Sequence, residues 1–192
     1  MDEQRPTVYL ALLHYPVYNK DRQVVATAVT NLDLHDLARL AATYGCAGFF
    51  AVTPLELQGK LVRRLLDHWL AGRGGEWNPT RREAFSRTRV ARDLEAVQAV
   101  IAGECGRPAR VVGTTARPTA ATGYAALRGR MAAEAGPWLV VFGTGWGLDD
   151  EFLARVPEVI LEPIHGPGDY NHLSVRSAAA IILDRLLARD RD

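Results

Sequence analysis

Cysteine is nearly missing from this chain: Cys46 and Cys105 are the two thiols in 192 residues, with no CxxC and no paired spacing. That excludes a disulfide framework, argues against a zinc site and favours a reducing cytoplasm. Net charge is almost absent too, with Lys+Arg 23 against Asp+Glu 22 and a formal balance of +1, so total charge announces no nucleic-acid partner. No apolar run reaches spanning length, no leader pattern opens the chain, and there is no repeat or low-complexity tract. The glycine-rich stretch Gly143–Gly147 is followed by no Gly-Lys-Ser/Thr, which excludes a phosphate-gripping Walker loop. Its third glycine also falls one residue early for G-x-G-x-x-G.

The composition that remains, 48% hydrophobic and 23% charged, is that of an ordinary globular chain, and residues 1–192 read as one domain. Thr7 to His14 is apolar at nearly every position, as a strand buried on both faces must be. A loop follows, then a short β-prone stretch, Val24 to Val29. Asp33 is the expected N-cap of a helix running to about Tyr44, with Leu34, Leu37, Ala38, Leu40 and Ala41 on one face. Gly48 to Val52 reads as a strand and Leu57 to Ala71 as an amphipathic helix. Residues 72 to 82 read as a mobile, basic excursion, part of a run from Lys60 to Arg92 with nine basic residues against three acids. Phe85 to Ala91 is a candidate short strand, Asp93 caps a helix to about Glu104, Arg110 to Thr115 is a strand, and a helix ends near Ala135. Strand and helix alternate throughout, which predicts an α/β fold: a mostly parallel sheet with helices on both faces.

The last third carries the chemistry. Trp138 to Phe142 is an unbroken apolar run that empties into Gly143-Thr144-Gly145-Trp146-Gly147, where alternate glycines let a flat ligand approach bare backbone. A second strand, Val159 to Leu161, leads into Glu162-Pro163-Ile164-His165-Gly166, and Ser174 caps a last helix to about Ala188. Two strand ends and a helix start converge, the arrangement that builds ligand crevices in open α/β sheets.

These three segments, with Tyr170 to Ala180, resemble the C-terminal signature of the SPOUT-class, or trefoil-knot, methyltransferases. Thr30-Asn31-Leu32-Asp33 through Arg39 is similar to that class's first motif, an Asn followed by a helix carrying an Arg. With its HYPVYNK, NPTR, FGTGWGL and DYNHLSVRSAAAIILDRL blocks, nearly the whole chain resembles a small stand-alone bacterial family of SAM-dependent RNA methyltransferases. The resemblance implies a C-terminal trefoil knot, S-adenosylmethionine as cofactor, an RNA substrate (tRNA or rRNA) and a homodimer, with no metal and no membrane. It implies cofactor contacts from Gly143, Thr144, Gly145, Trp146, Gly147, Leu161, Ile164, Gly166, Asn171, His172, Leu173, Ser174 and Val175, with Leu148 as a further apolar wall. Arg39 would orient the nucleophile or steady developing charge, and Asn31 would position it or RNA backbone. Glu162, Asp169 and His165 are left open as the group that takes the proton. Arg81, Arg82 and Arg87, interleaved with Trp69, Trp77 and Phe85, would contact RNA. The competing expectation is a knotted RNA-binding module without catalysis, and behind it a generic nucleotide-binding protein. The target nucleotide, and nitrogen against ribose 2′-oxygen, lie beyond the sequence.

Overall fold

The structure is a computed structural model that describes residues 5–117 and 120–188. In chain order its elements are β1 (Val8–Leu13), β2 (Val17–Tyr18), β3 (Val24–Val25), α1 (Asn31–Thr43), β4 (Gly48–Val52), α2 (Glu56–Leu70), α3 (Arg73–Trp77), α4 (Pro79–Phe85), β5 (Thr88–Ala91) and α5 (Leu94–Cys105). They continue with β6 (Arg110–Gly113), α6 (Tyr124–Ala133), β7 (Trp138–Gly143), α7 (Asp150–Arg155), β8 (Val159–Ile160) and α8 (Val175–Leu187).

Six strands form one sheet in the order β5-β4-β1-β7-β6-β8, every pair parallel, while β2 and β3 make a separate antiparallel ribbon. The apolar runs are continuous because both faces of the sheet are covered. Along β1, Val8, Leu10 and Leu12 enter one core with α1, α2, α4, α6 and α8, whereas Tyr9, Ala11 and Leu13 enter the other with α5 and α7. Strand β7 divides the same way, with Trp138, Val140 and Phe142 on the first face and Leu139 and Val141 on the second. Each large side chain so buried stabilises the fold by roughly 1.5–3 kcal/mol.

Helix entries are set by short polar side chains. Ser174 caps α8 and Asp93 caps α5, as the sequence predicts, and Asn78 caps α4 just ahead of Pro79. At α1 the cap is Thr30, three residues before the expected Asp33. The Thr30 hydroxyl accepts from Asp33 N at 3.2 Å and donates to its carboxylate at 2.6 Å, a reciprocal closure that starts the helix earlier. Two further expectations change. The segment read as a mobile excursion is α3 and α4, packed on α1 and α2, because Pro79 follows a capping Asn and Ala84 and Phe85 are buried. Phe85 therefore closes a helix, and the strand begins only at Thr88.

Candidate functional site

The carboxyl ends of β6, β7 and β8 open onto the same side, where the glycine turn, the 161–174 loop and the start of α8 meet. The turn is held from behind by the β2–β3 ribbon: Tyr18 N donates to Gly147 O at 2.9 Å and Trp146 N to Tyr18 O at 2.9 Å. Gly145 has φ +58, and a Cβ there would stand 2.7 Å from the Tyr18 carbonyl, so this position excludes any side chain. The Thr144 hydroxyl turns away from the opening, 2.5 Å from Thr27 Oγ1, which in turn lies 3.1 Å from His14 Nδ1. His14 is fully buried at the end of the central strand, and burial pushes its pKa down to about 4, so it is neutral at physiological pH.

In front of the turn lies a cavity of about 320 Å³. Its floor is apolar, from Phe142, Ile164, Ala178 and Ile182, and its rim is polar, from Arg22, Arg117, Asn171 and His172. Of the residues the resemblance implies, Gly143, Gly145, Trp146, Gly147, Ile164, Asn171, His172, Leu173 and Val175 line it. Leu161 and Leu148 are buried beneath, Thr144 faces Thr27, and Ser174 lies in a different groove. Gly166 is exposed and does not line the cavity. Trp146, 58% exposed, lines the cavity without filling it, and Tyr170, 82% exposed, lies outside the lining.

Glu162 is the carboxylate in the cavity wall. It accepts from Tyr124 N at 3.0 Å and so closes the entry of α6, whose Gly123 cap offers no side chain. Asp169 and His165 are exposed and lie outside the lining.

Asn31 and Arg39 sit elsewhere, on α1. Arg39 lies in a shallow groove between α1 and α8 with Asp36, Thr43, Ser174, Arg176 and Ser177. It pairs with Asp36, whose second oxygen faces Arg176 Nε at 3.3 Å, and Arg176 Nη1 reaches the buried Asp33 at 2.7 Å. One arginine at the start of α8 is thus tied to two carboxylates of α1. Asn31, at the exposed first turn of α1, lines neither the cavity nor the groove.

The arginines expected to meet RNA divide. Arg81 donates to His35 Nδ1 at 2.6 Å and lies over Trp69, 5.3 Å from the ring centre. His35 packs edge-on against Trp69 and Phe85, and burial with the neighbouring Arg81 and Arg39 charges lowers its pKa. Arg87 donates to the Cys46 carbonyl at 2.9 Å. Arg82 is exposed, and so is Trp77 at 86%. Sequence reading missed Arg22, Arg117, Arg176, His14 and Thr27. Each depends on a contact distant in sequence, and a sequence pattern carries no signal for such contacts.

The fold is similar to that of a solved SpoU methyltransferase. The solved SpoU methyltransferase AviRb from Streptomyces viridochromogenes matches with a TM-score of 0.58 at 16% identity, over 95% of this chain and 60% of that one. Residues 7–188 match the family model of SAM-dependent RNA methyltransferases, and the chain belongs to that family. An uncharacterized protein of Aquifex aeolicus (strain VF5) is 44% identical over 185 residues, 96% of this chain and 90% of that one. A tRNA (guanine-N(1)-)-methyltransferase of Nitratidesulfovibrio vulgaris (strain Hildenborough) is 45% identical over 189 residues, 97% of this chain. The match takes in 44% of that relative, so this chain spans less than half of its length.

The cavity suits the family's cofactor. Its volume falls within the range of small-molecule sites, its floor offers an apolar surface for a purine, and Gly143, Gly145 and Gly147 line it with main chain alone.

Proposed function

We propose that this cavity binds S-adenosylmethionine and that the protein transfers the methyl group to RNA from the α1 side. The observation that carries the reading is a cavity lined by the main chain of Gly143, Gly145 and Gly147 and by apolar side chains at the carboxyl ends of parallel strands. Phe142, Ile164 and Ile182 would hold the adenine, and the main chain of Gly143 to Gly147, with Leu173 and Val175, would hold the ribose. When bound, the cofactor supplies a methyl group on a positively charged sulfur, open to in-line displacement. The protein's part is to orient the acceptor and manage one proton. Arg39 is the proposed acceptor-side cation, with Asn31 nearby and Glu162 and Asp169 as the carboxylates that would receive the proton.

Arg39 lies on the outer α1–α8 groove and does not line the cavity of its own chain. That separation favours the homodimer the resemblance implies, in which a second copy brings its groove to the first copy's cavity. The proposal includes the C-terminal trefoil knot that the resemblance implies, with residues 1–192 acting as one domain. Among the described residues no helix is long and apolar enough to cross a membrane, and no cluster of three or more His, Cys, Asp or Glu could hold a metal. The proposed setting is cytoplasmic, on tRNA or rRNA. The relative named for guanine N1 of tRNA makes tRNA the first substrate to test, although that name belongs to a protein more than twice as long.

A second reading, a knotted RNA-binding module without transfer, is favoured by the Glu162 carboxylate being engaged at α6 and Asp169 lying outside the cavity. Titration with S-adenosylhomocysteine, followed by transfer of labelled methyl groups to total tRNA and rRNA, separates the two. Binding with transfer is the expected result; binding without transfer to either RNA selects the silent module, and no binding removes both cofactor and catalysis from the account.

A further inference from the structure

Two arginines that no sequence motif marked meet at one end of the cavity. Arg117 uses a single nitrogen twice: its Nη2 donates to Leu148 O at 2.7 Å and to Asp150 Oδ1 at 2.7 Å. Its other terminal nitrogen, Nη1, is buried and has no hydrogen-bond partner among the described residues. A Cβ built on Gly147 would stand 3.9 Å from that atom, so Nη1 faces the glycine turn. Arg22 arrives from the β2–β3 ribbon and pairs with the other oxygen of the same carboxylate, Asp150 Oδ2, at 2.7 Å. Both guanidinium groups lie over the Tyr18 ring, at 4.1 and 5.4 Å from its centre, and the Tyr18 hydroxyl accepts from Asp150 N at 3.2 Å. Arg22 takes this place at φ 61, a left-handed state that side chains other than glycine seldom adopt and that persists where the surroundings enforce it.

Two cations share one carboxylate, and a buried N–H aimed at the turn lacks an acceptor. A buried donor left without a partner is destabilising unless something supplies the acceptor. Building on the donor-cavity reading above, we propose that Arg117 and Arg22 form a carboxylate-binding subsite that takes the α-carboxylate of the methyl donor's amino-acid tail. Arg117 Nη1 is its inner donor. The apolar floor at Phe142, Ile164 and Ile182 receives the adenosine end, so the two ends of the ligand are told apart by the two ends of the cavity. A phosphate of bound RNA would meet the exposed Arg22 first, whereas only a group inside the cavity reaches Nη1.

The test compares two ligands in calorimetric titrations of the full chain: S-adenosylhomocysteine, and 5′-methylthioadenosine, which keeps the adenosine and thioether but lacks the amino-acid tail. Wild type is expected to bind the first about tenfold or more tightly than the second, as a charge-assisted bond to a carboxylate implies. Arg117→Met and Arg22→Met are expected to collapse that preference towards one while leaving methylthioadenosine affinity within about twofold, with Arg117→Lys restoring part of it. Arg22→Met, in an exposed ribbon, stands in should Arg117→Met fold poorly. Equal loss of both ligands would assign the arginines to shaping the cavity and overturn the proposal. So would an unchanged preference, including one accompanied by weakened RNA binding. Wild type that binds neither ligand would instead remove the donor-cavity reading itself.

Discussion

The glycine turn and the basic segment from Lys60 to Arg92 were both conspicuous in the sequence, yet the fold treats them in opposite ways. At the turn, what matters is the absence of side chains. Gly145 has no room for a Cβ, and the ribbon behind it fixes the backbone with main-chain bonds. In the basic segment, what matters is where the side chains go. Arg81 is drawn under His35 and Trp69, Arg87 bonds to the Cys46 carbonyl, Arg89 pairs with Glu104, Arg92 with Asp93 and Lys60 with Glu56. Arg63, Arg64, Arg73, Arg82 and Arg87 are exposed and form no ion pair among the described residues, and of these Arg87 is held by the Cys46 carbonyl. A backbone requirement survives folding unchanged, whereas a charge is free for a ligand only if the protein's own acceptors have not taken it.

Breaking the turn should have the largest effect. Gly145→Val must displace the Tyr18 carbonyl and adopt φ +58, so S-adenosylhomocysteine affinity is expected to fall at least about 100-fold by calorimetry, with the circular dichroism of the folded chain retained. Arg39→Ala tests the acceptor side: methyl transfer should drop by roughly 100-fold or more while cofactor affinity stays within about twofold, the signature of a group that acts on developing charge.

Removing Arg176 leaves the buried Asp33 unpaired and frees the start of α8 from α1. Because Arg176 is itself one-third exposed, the loss should be moderate, about 1–3 kcal/mol in urea denaturation, with Asp33→Asn recovering part of it in the double variant. The comparison within the basic segment is sharpened by RNA filter binding: Arg63→Ala with Arg64→Ala should weaken binding several-fold and flatten its salt dependence, whereas Arg87→Ala should change it little. The remaining effect is in pH. His14 is held near pKa 4 when folded against about 6.5 unfolded, so the unfolded chain takes up its proton first. Stability should therefore decline as pH falls from about 6.5 towards 4, and His14→Gln should remove one proton from that slope.

How much was legible follows the same division. The parallel sheet was readable because β1, β4 and β7 are apolar on both faces, and the caps at Asp93 and Ser174 because a short oxygen-bearing side chain closes its own helix. The cap of α1 lies at Thr30, whose hydroxyl closes on Asp33 N and on its carboxylate, and the other oxygen of Asp33 accepts from Arg176 across the fold. Nine lining residues of the cavity were named from motif likeness, since strand ends and the first turn of α8 come together in any sheet of this order. Arg22 and Arg117 were not, because they meet at Asp150, which stands 128 and 33 residues away from them, and over the Tyr18 ring. Helices α3 and α4 were hidden by glycine and charge, whose local preference for irregular chain is outweighed by burying Ala84 and Phe85 and enclosing His35.

A crystal grown with S-adenosylhomocysteine tests the central claim most directly. The account predicts the adenine on Phe142, Ile164 and Ile182, with the sulfur end passing the bare backbone at Gly145. Density for the ligand anywhere else, with the turn closed against its own neighbours, would contradict it.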